Sequence, residues 1–134
     1  MTAPLRIFLV DDEAPARTRI RALLDDLQVE LPNVVTGEAA NGHEGLAFLA
    51  QQSADVALVD IHMPQMSGLE FARHLSTLEK APAVVFITAH DQYAIEAFEV
   101  NALDYLLKPV RAARLAAALG KAASSGAVKR AALE

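Results

Sequence analysis

Five short apolar segments alternate with five stretches of helical periodicity, and this alternation limits the fold of the 134-residue chain more than any other feature. The segments predicted to be strands are residues 5–10, 33–40, 55–60, 83–88 and 103–107. Strands that alternate with helices form a parallel sheet with helices on both faces, and right-handed crossovers leave few topologies. The length suits one hydrophobic core. We therefore predict a single, doubly wound α/β domain.

Local signals indicate where several helices begin. Pro15 suits the first turn of a helix, where its missing N–H has no cost. Ser67 and Glu70 have the three-residue spacing of a capping box, which predicts a helix directly after Ser67. The Asn41-Gly42 pair is typical of a turn, so we expect one between the second strand and the second helix.

The C-terminal third of the chain contains two further predicted helices. Residues 92–100 fit a helix that buries Ile95 and Phe98. The last predicted helix is rich in alanine and ends where the domain ends. We therefore predict that the domain takes residues 1–123, and that residues 124–134 form a linker or a frayed tail.

The composition argues against several classes of protein. The chain has no cysteine, so it has neither a disulfide framework nor a thiolate site. Its net charge of −5 argues against binding nucleic acid unaided. No apolar run is long enough to span a membrane, and the N-terminus lacks the apolar core of a signal peptide. We expect a cytoplasmic protein that does not contact membranes.

Polar side chains lie at the ends of four predicted strands. Asp11 and Asp12 follow the first strand, Asp60 closes the third, Thr88 closes the fourth, and Lys108 follows the fifth. The carboxyl ends of parallel strands lie at one edge of the sheet, where open α/β sheets bind their ligands. Each residue alone is compatible with a cap or a turn. Together, at one edge, they predict a functional site.

The predicted site has more negative than positive charge. Three carboxylates close together raise one another's pKa unless a cation joins them, and Lys108 leaves a nominal surplus of two negative charges. Oxygen ligands favour a hard divalent ion, and Mg²⁺ accepts one or two carboxylates beside several waters. With the Thr88 hydroxyl available to an oxyanion, Asp60 is a candidate nucleophile that forms an aspartyl-phosphate.

These residues resemble the motifs of a known family. The pair Asp11-Asp12, the segment DIHMPQMSG that begins at Asp60, the dipeptide TA at Thr88 and the dipeptide KP at Lys108 resemble the CheY-like receiver domain of response regulators. The resemblance extends from residue 5 to about residue 123. It implies a flavodoxin-like (βα)5 fold, with a parallel five-stranded sheet in the order 2-1-3-4-5.

The resemblance also implies a metal site. Asp60 is expected to bind Mg²⁺ together with Asp12, which is the expected direct ligand. Asp11 is expected to act mainly through metal-bound water. The backbone carbonyl of His62 is expected to complete the set of protein ligands.

Phosphoryl transfer and switching follow from the same resemblance. Asp60 is expected to accept a phosphoryl group from a sensor histidine kinase, with Thr88 and Lys108 contacting that group. Lys108–Pro109 is expected to be a cis peptide, since only X-Pro bonds adopt cis at low cost. Thr88 and Tyr105 match the family's switch positions, where an aromatic ring turns inward after phosphorylation.

A finer resemblance lies in the segment YAIEAFEVNALDYLLKP, which runs from Tyr93 to Pro109. It is similar to receivers of the LytR/AlgR type, which usually precede a LytTR DNA-binding domain. We expect a receiver taken from a longer transcriptional regulator, which contacts DNA only through an output domain missing from this chain. The alternative is a stand-alone receiver that regulates another protein directly.

The surface expected to change on phosphorylation comprises the fourth helix, the fifth strand and the fifth helix. Its charged residues have mixed signs, which fits a symmetric homodimer and fits an ordinary solvated face equally well. These residues are Glu96, Glu99, Asp104, Arg111, Arg114 and Lys121.

The four histidines share no metal-ligand spacing and are predicted to lie mostly on the surface. Two of them, His62 and His90, follow Asp60 and Thr88 by two positions. They are candidates to flank the pocket, where they would modulate phosphoryl lifetime or introduce a pH effect.

The first helix carries three arginines, Arg17, Arg19 and Arg21. They are predicted to face solvent, with docking of a kinase as the alternative.

We expect a signalling module that catalyses only its own phosphorylation and dephosphorylation, and not an enzyme. A Mg²⁺-dependent phosphohydrolase is the rival function, and it would need His62 or His90 as a positioned acid or base. A degenerate receiver is disfavoured, because every acidic and basic position that it would have lost is present.

Overall fold

The computed structural model describes residues 3–133, with side chains described as far as Ser124. Ten elements alternate along the chain. They are β1 (Leu5–Val10), α1 (Ala14–Asp26), β2 (Asn33–Ala39), α2 (Gly42–Gln51), β3 (Val56–Val59), α3 (Gly68–Leu75), β4 (Ala83–Thr88), α4 (Ala94–Glu99), β5 (Asp104–Leu107) and α5 (Ala112–Leu133). Among the described residues, no helix combines the length and the apolar character needed to cross a bilayer.

The five strands form one parallel sheet in the order β2-β1-β3-β4-β5. This confirms the flavodoxin-like (βα)5 prediction. One core cluster packs on the face covered by α2, α3 and α4, around Phe8, Phe71 and Phe86. The other packs beneath α1 and α5, around Leu24 and Leu115. Because both faces are buried, β3 is apolar at every position, as a central parallel strand must be.

An irregularity in β2 is centred on its glycine. The register of β1 against β2 shifts by one residue between Ile7 and Phe8, because Ile7 pairs with Val35 whereas Phe8 pairs with Gly37. A Cβ on Gly37 would lie 2.7 Å from the ring of Phe48. The bulge therefore occurs where an aromatic ring approaches the strand too closely for a side chain.

The helix starts agree with most of the local signals. Pro15 lies in the first turn of α1. The Ser67 side chain accepts a hydrogen bond of 3.2 Å from the amide of Glu70, as the capping box predicted. The chain turns at Asn41 between β2 and α2, as predicted, and the Asn41 side chain also accepts from the amide of Glu44 and caps α2. Asparagine is common both in turns and at helix N-caps, because its short side chain forms hydrogen bonds with the nearby backbone.

The predicted burial on α4 was wrong. Ile95 and Phe98 are 73% and 83% exposed, and Ala97 is the buried residue of this helix. Ile95 and Phe98 are three positions apart, and so are Ala97 and Val100, which packs against the core. Both pairs satisfy helical periodicity, and the helix has only six residues, so the pattern alone was unable to select the inward face.

The last helix continues beyond the end predicted for it at about residue 123. Alanine is the best helix former, and no proline interrupts the segment, so α5 extends to Leu133. Side chains after Ser124 lie outside the described residues. The assignment of residues 1–123 to the domain and 124–134 to a linker or frayed tail stays a prediction.

Candidate functional site

Asp60 follows the central strand β3 at the carboxyl edge of the sheet. Its amide donates a 2.9 Å hydrogen bond to the carbonyl of Val10, which ties it to the end of β1. The residue is 7% exposed. Gly68 at the start of α3 packs closely behind it, since a Cβ there would lie only 2.2 Å from the Asp60 carbonyl oxygen. Asp60 is thus held by the backbone on both sides of its strand end.

Asp11, Asp12 and Asp60 form an acidic cluster. Each offers one carboxylate oxygen, and these oxygens lie within 4.8 Å of one another. Asp11 is largely buried and Asp12 is exposed. The sheet therefore brings together the three carboxylates that the sequence placed at one edge.

Lys108 is the cation of the cluster. Its Nζ lies 3.0 Å from Oδ2 of Asp11 and 3.6 Å from Oδ2 of Asp60. Its amide donates to the carbonyl of Thr88 at 2.9 Å, and its bond to Pro109 is cis, as predicted. Burial alone would lower the pKa of Lys108, but the Asp11 hydrogen bond and the Asp60 charge outweigh it and raise the pKa. The ammonium therefore stays charged at neutral pH.

The pKa of Asp60 is raised above its ordinary value. Burial is the largest cause, and the neighbouring charge of Asp11 adds to it. Lys108 and a hydrogen bond from the Ile61 amide act in the opposite direction but do not cancel the rise. The site thus holds a carboxylate whose negative charge is incompletely compensated by the protein.

The donor set fits a magnesium ion. All three donors are carboxylate oxygens, which Mg²⁺ prefers, and two oxygens bound to one Mg²⁺ are at most about 4.2 Å apart. A cluster within 4.8 Å needs little adjustment to reach such an ion, directly or through water. The three carboxylates also suit a divalent cation because the one ammonium of Lys108 leaves two negative charges unmatched.

The proposed switch residues lie on adjacent strands, Thr88 at the end of β4 and Tyr105 on β5, beside Phe86. Thr88 is fully buried, and its Oγ1 accepts a 3.3 Å hydrogen bond from the amide of His90. Tyr105 is half-buried, packs near Phe86 at 6.4 Å between ring centroids, and donates its hydroxyl hydrogen bond to the carbonyl of His90. Thr88 and Tyr105 therefore both bond to the backbone of His90.

The two histidines that flank the acceptor and threonine positions contact each other. The ring centroids of His62 and His90 are 4.2 Å apart, and Nε2 of His62 lies 3.0 Å from the hydroxyl of Tyr93. These contacts join the loop after β3 to the loop after β4. Sequence reasoning suspected His62 and His90 but missed Tyr93, because nothing in the spacing relates residue 93 to residue 62.

The expectation that the arginines of α1 face solvent was wrong for Arg17. Its Nη1 donates to the main-chain carbonyl of Asp11, and its Nε donates to Glu38 at 3.0 Å. Arg21 bonds the second carboxylate oxygen of Glu38. Arg19 is exposed, as expected. The sequence did not predict these contacts of Arg17, because its partner Glu38 lies on β2, 21 residues away in the chain.

Charges on the α4-β5-α5 surface are paired within the chain. Arg114 donates two hydrogen bonds to Asp104, at 2.8 and 2.9 Å, and Lys121 donates another at 2.9 Å. The hydrogen bond from Arg114 is the largest cause that holds the pKa of Asp104 well below its usual range. On α4, the apolar side chains of Ile95 and Phe98 are exposed.

The sheet order, the acidic cluster and the paired lysine together define a CheY-like receiver. Residues 7–120 match the response regulator receiver domain model. The chain belongs to the response regulator receiver domain family and is the receiver domain of a two-component response regulator.

Several relatives illustrate this membership. The positive alginate biosynthesis regulatory protein of Pseudomonas aeruginosa is 43% identical over 129 residues, which are 96% of this chain and 51% of that protein. The transcriptional regulatory protein BtsR of Escherichia coli is 42% identical over 87% of this chain and 47% of that protein. The chain spans about half the length of the curated relatives it matches.

Solved structures of receiver domains have the same fold. The receiver domain of AraT, a response regulator from Geobacillus stearothermophilus, superposes with a TM-score of 0.82 at 32% identity, covering 96% of this chain and 99% of that one. The response regulatory domain of protein mrkE from Klebsiella pneumoniae gives a TM-score of 0.81 at 30% identity, covering 90% and 97% of the two chains.

Proposed function

We propose that this receiver accepts a phosphoryl group on Asp60 from the phosphohistidine of a sensor histidine kinase. The carboxylate oxygen of Asp60 forms the new O–P bond while the N–P bond of the kinase histidine breaks. The observation that carries the proposal is the acidic cluster, in which Asp11 and Asp60 are buried and Lys108 reaches both of them.

The roles of the other residues follow from charge and position. Lys108 neutralises oxygens of the incoming group, and Thr88, at the end of the adjacent strand, offers its hydroxyl to the same group. Asp11, Asp12, Asp60 and the backbone carbonyl of His62 would hold Mg²⁺. When bound, the ion supplies positive charge that stabilises the phosphoryl oxygens during transfer.

We also propose that the α4-β5-α5 surface forms a homodimer after phosphorylation. Ile95 and Phe98 supply exposed apolar area on α4, while Arg114 and Lys121 on α5 are paired with Asp104 of β5. The acidic residues Glu96 and Glu99 on α4 and the basic residues on α5 suit a two-fold contact in which α4 of each protomer faces α5 of its partner.

The output is proposed to be a LytTR-type DNA-binding domain, outside the chain described here. Similarity to the positive alginate biosynthesis regulatory protein and to the transcriptional regulatory protein BtsR supports this assignment. A receiver that regulates another protein directly is the alternative. Sequencing the gene beyond the codon for Glu134 separates the two.

We propose a self-modifying signalling module and not a phosphohydrolase. Turnover of an aspartyl-phosphate would need an acid or base near Asp60, and His62 and His90 are the candidates. Nε2 of His62 already bonds Tyr93, and its ring packs on that of His90, so Nε2 of His62 is engaged within the protein, which supports the first reading. Multiple turnover of a small phosphate ester would contradict this reading.

The proposed acceptor is tested by labelling with radioactive acetyl phosphate in the presence of Mg²⁺. We expect the unsubstituted protein to incorporate label, Asp60→Asn to incorporate less than about 1% as much, and chelation of Mg²⁺ by EDTA to reduce labelling at least tenfold. The reason is that, among the side chains that the structure describes, Asp60 is the one buried carboxylate that lies near Lys108 without a direct hydrogen bond to it.

The matched control is Asp91→Asn, since Asp91 is exposed in the loop after β4 at the same edge of the sheet. This variant should be labelled like the unsubstituted protein. Label retained by Asp60→Asn at a comparable level would exclude Asp60 as the acceptor.

A further inference from the structure

Every polar group of Asp11, in the main chain and in the side chain, forms a hydrogen bond. Its amide donates to the carbonyl of Ala39 at 3.1 Å. One carboxylate oxygen accepts from the amide of Glu13 at 2.9 Å, and the other accepts from Lys108 at 3.0 Å. The remaining group, the carbonyl oxygen, accepts from Nη1 of Arg17. Arg17 therefore completes the fixation of the turn that carries both Asp11 and Asp12.

Arg17 is itself fixed to a different strand. Its Nε donates to Oε1 of Glu38 at 3.0 Å, and Glu38 lies on β2. Arg21 bonds the other oxygen of Glu38. The side chain of Arg17 is 19% exposed, whereas that of Arg21 is 51% exposed. Both arginines share the same carboxylate, but only Arg17 also reaches the Asp11 carbonyl.

Packing does not supply this restraint. A cavity of about 20 Å³ lies between α1 and the sheet, and Asp11, Asp60 and Arg17 all line it. The acidic residues are therefore not in full contact with α1 on this side. A hydrogen bond from a half-buried, paired guanidinium is the contact that fixes the turn there.

The charge of Arg17 acts against a metal. A guanidinium near three carboxylates competes by simple Coulomb repulsion with a cation that those carboxylates bind. Glu38 offsets that charge. The planar guanidinium of Arg17 then contributes through its geometry, because its several N–H donors bind the Asp11 carbonyl and the Glu38 carboxylate at the same time. Electrostatics and positioning thus predict opposite signs for the effect of removing Arg17.

We propose that Arg17 is a positioning residue for the metal site, which sets the affinity for Mg²⁺ by holding the Asp11-Asp12 turn against β2 through Glu38. This inference rests on the proposed magnesium site. Arg17 is not a ligand. It acts as an outer partner of the ligands, and loss of such partners costs roughly 10–100-fold in metal affinity.

The test is a titration of each protein with Mg²⁺, followed by the NMR shifts of the Asp12 and Glu13 amides. Arg17→Lys keeps the charge but replaces the planar guanidinium with a single ammonium, which is unable to hold both partners, so the Kd of this variant for Mg²⁺ should rise roughly threefold or more. Arg17→Gln removes both the charge and the guanidinium, and its Kd should rise about tenfold. The matched variants Arg21→Lys and Arg21→Gln alter only the bond to the other oxygen of Glu38 and leave the contact of Arg17 with Asp11 in place, so their Kd should stay within about twofold of that of the unsubstituted protein. Urea unfolding without Mg²⁺ reports whether each variant is folded, and Arg17→Lys carries the test if Arg17→Gln is not.

Two results would overturn this inference and leave the proposed metal site standing. One is a Kd for Arg17→Lys indistinguishable from that for Arg21→Lys. The other is tighter binding by Arg17→Gln, the sign expected if only charge matters. Absence of Mg²⁺ binding by the unsubstituted protein would instead overturn the proposed metal site, and this inference with it.

Discussion

At the scale of single residues, the chemistry of the site depends on one buried carboxylate. Asp60 is removed from water, has Asp11 as a neighbour and has only a share of the Lys108 charge. Without a bound cation, such a carboxylate lowers the stability of the folded protein. With a bound cation, it is able to react with a phosphoryl group whose charge the cation neutralises. The ionised Asp60 therefore lowers the free energy of unfolding, and the effect is measurable.

Asp60→Asn should stabilise the protein without Mg²⁺ at pH 7, by about 3 °C in melting temperature. The folded-state pKa of Asp60 is raised, so the unfolded chain ionises at lower pH than the folded protein. Stability is therefore lost as the pH rises from the ordinary pKa of an aspartate through the raised pKa, and the loss is complete above it. Below about pH 4, the ordinary pKa of an aspartate, both states are protonated and the advantage of asparagine disappears. Calorimetry or circular dichroism from pH 4 to pH 7.5 measures this trend.

Added Mg²⁺ should reverse the order, because the ion stabilises the unsubstituted protein by mass action and has one ligand fewer in Asp60→Asn. Asp26→Asn, at an exposed position on α1, is the control and should melt like the unsubstituted protein in both conditions. A lower melting temperature for Asp60→Asn without Mg²⁺ at pH 7 would show that the pKa of Asp60 is not raised.

At the scale of secondary-structure elements, the close approach of α3 to the end of β3 fixes the acceptor. Gly68 donates its amide to the carbonyl of Ile61 at 2.8 Å, and it begins α3 directly behind Asp60. This approach requires the absence of a side chain, and not an unusual backbone conformation. The first residue of α3 is therefore a structural part of the site.

Gly68→Ala should lower the free energy of unfolding by about 2–4 kcal/mol, because its Cβ would meet main-chain atoms that have little freedom to move. Phosphoryl labelling should fall with it, since the Asp60 backbone must shift. Gly120→Ala is the matched control on α5, where a Cβ has nothing within 4 Å. That substitution should raise stability by about 0.5–1 kcal/mol. Urea denaturation of the pair measures both effects, and equal values would refute the clash.

At the scale of the whole molecule, the two faces of the sheet differ in how well they are closed. The clusters under α1 and α5, and under α2 and α3, bury large apolar side chains. By contrast, α4 is the shortest helix among the described residues, it buries one alanine, and it exposes an isoleucine and a phenylalanine. Exposed apolar residues of this size next to a site of charge change are suited to association that phosphorylation controls.

Beryllofluoride with Mg²⁺ should convert the protein from monomer to dimer, and Phe98→Ser should weaken that dimer at least about tenfold in Kd. The stability of the Phe98→Ser monomer should change by less than about 0.5 kcal/mol, because the side chain is exposed. Val29→Ser is the control, since Val29 is 95% exposed and lies outside α4, β5 and α5. Light scattering with and without the phosphoryl mimic measures association, and a dimer unaffected by Phe98→Ser would exclude this surface.

Local chemistry in the sequence determined the sheet and the membership of the site, and the family resemblance implied the strand order. Strands that must be buried on both faces are apolar throughout, so the polar residues that end them are conspicuous, and parallel strands bring those residues to one edge. Asp11, Asp12, Asp60, Thr88 and Lys108 were identifiable for that reason.

Only the tertiary structure decided which face of α4 turns inward, how Arg17 supports Asp11 through Glu38, and how Tyr93 contacts His62. Each of these is a choice between arrangements that local periodicity and propensity permit equally. The choice is made by contacts between elements that are distant in the chain, where side-chain shape and direction become relevant only after the sheet has formed.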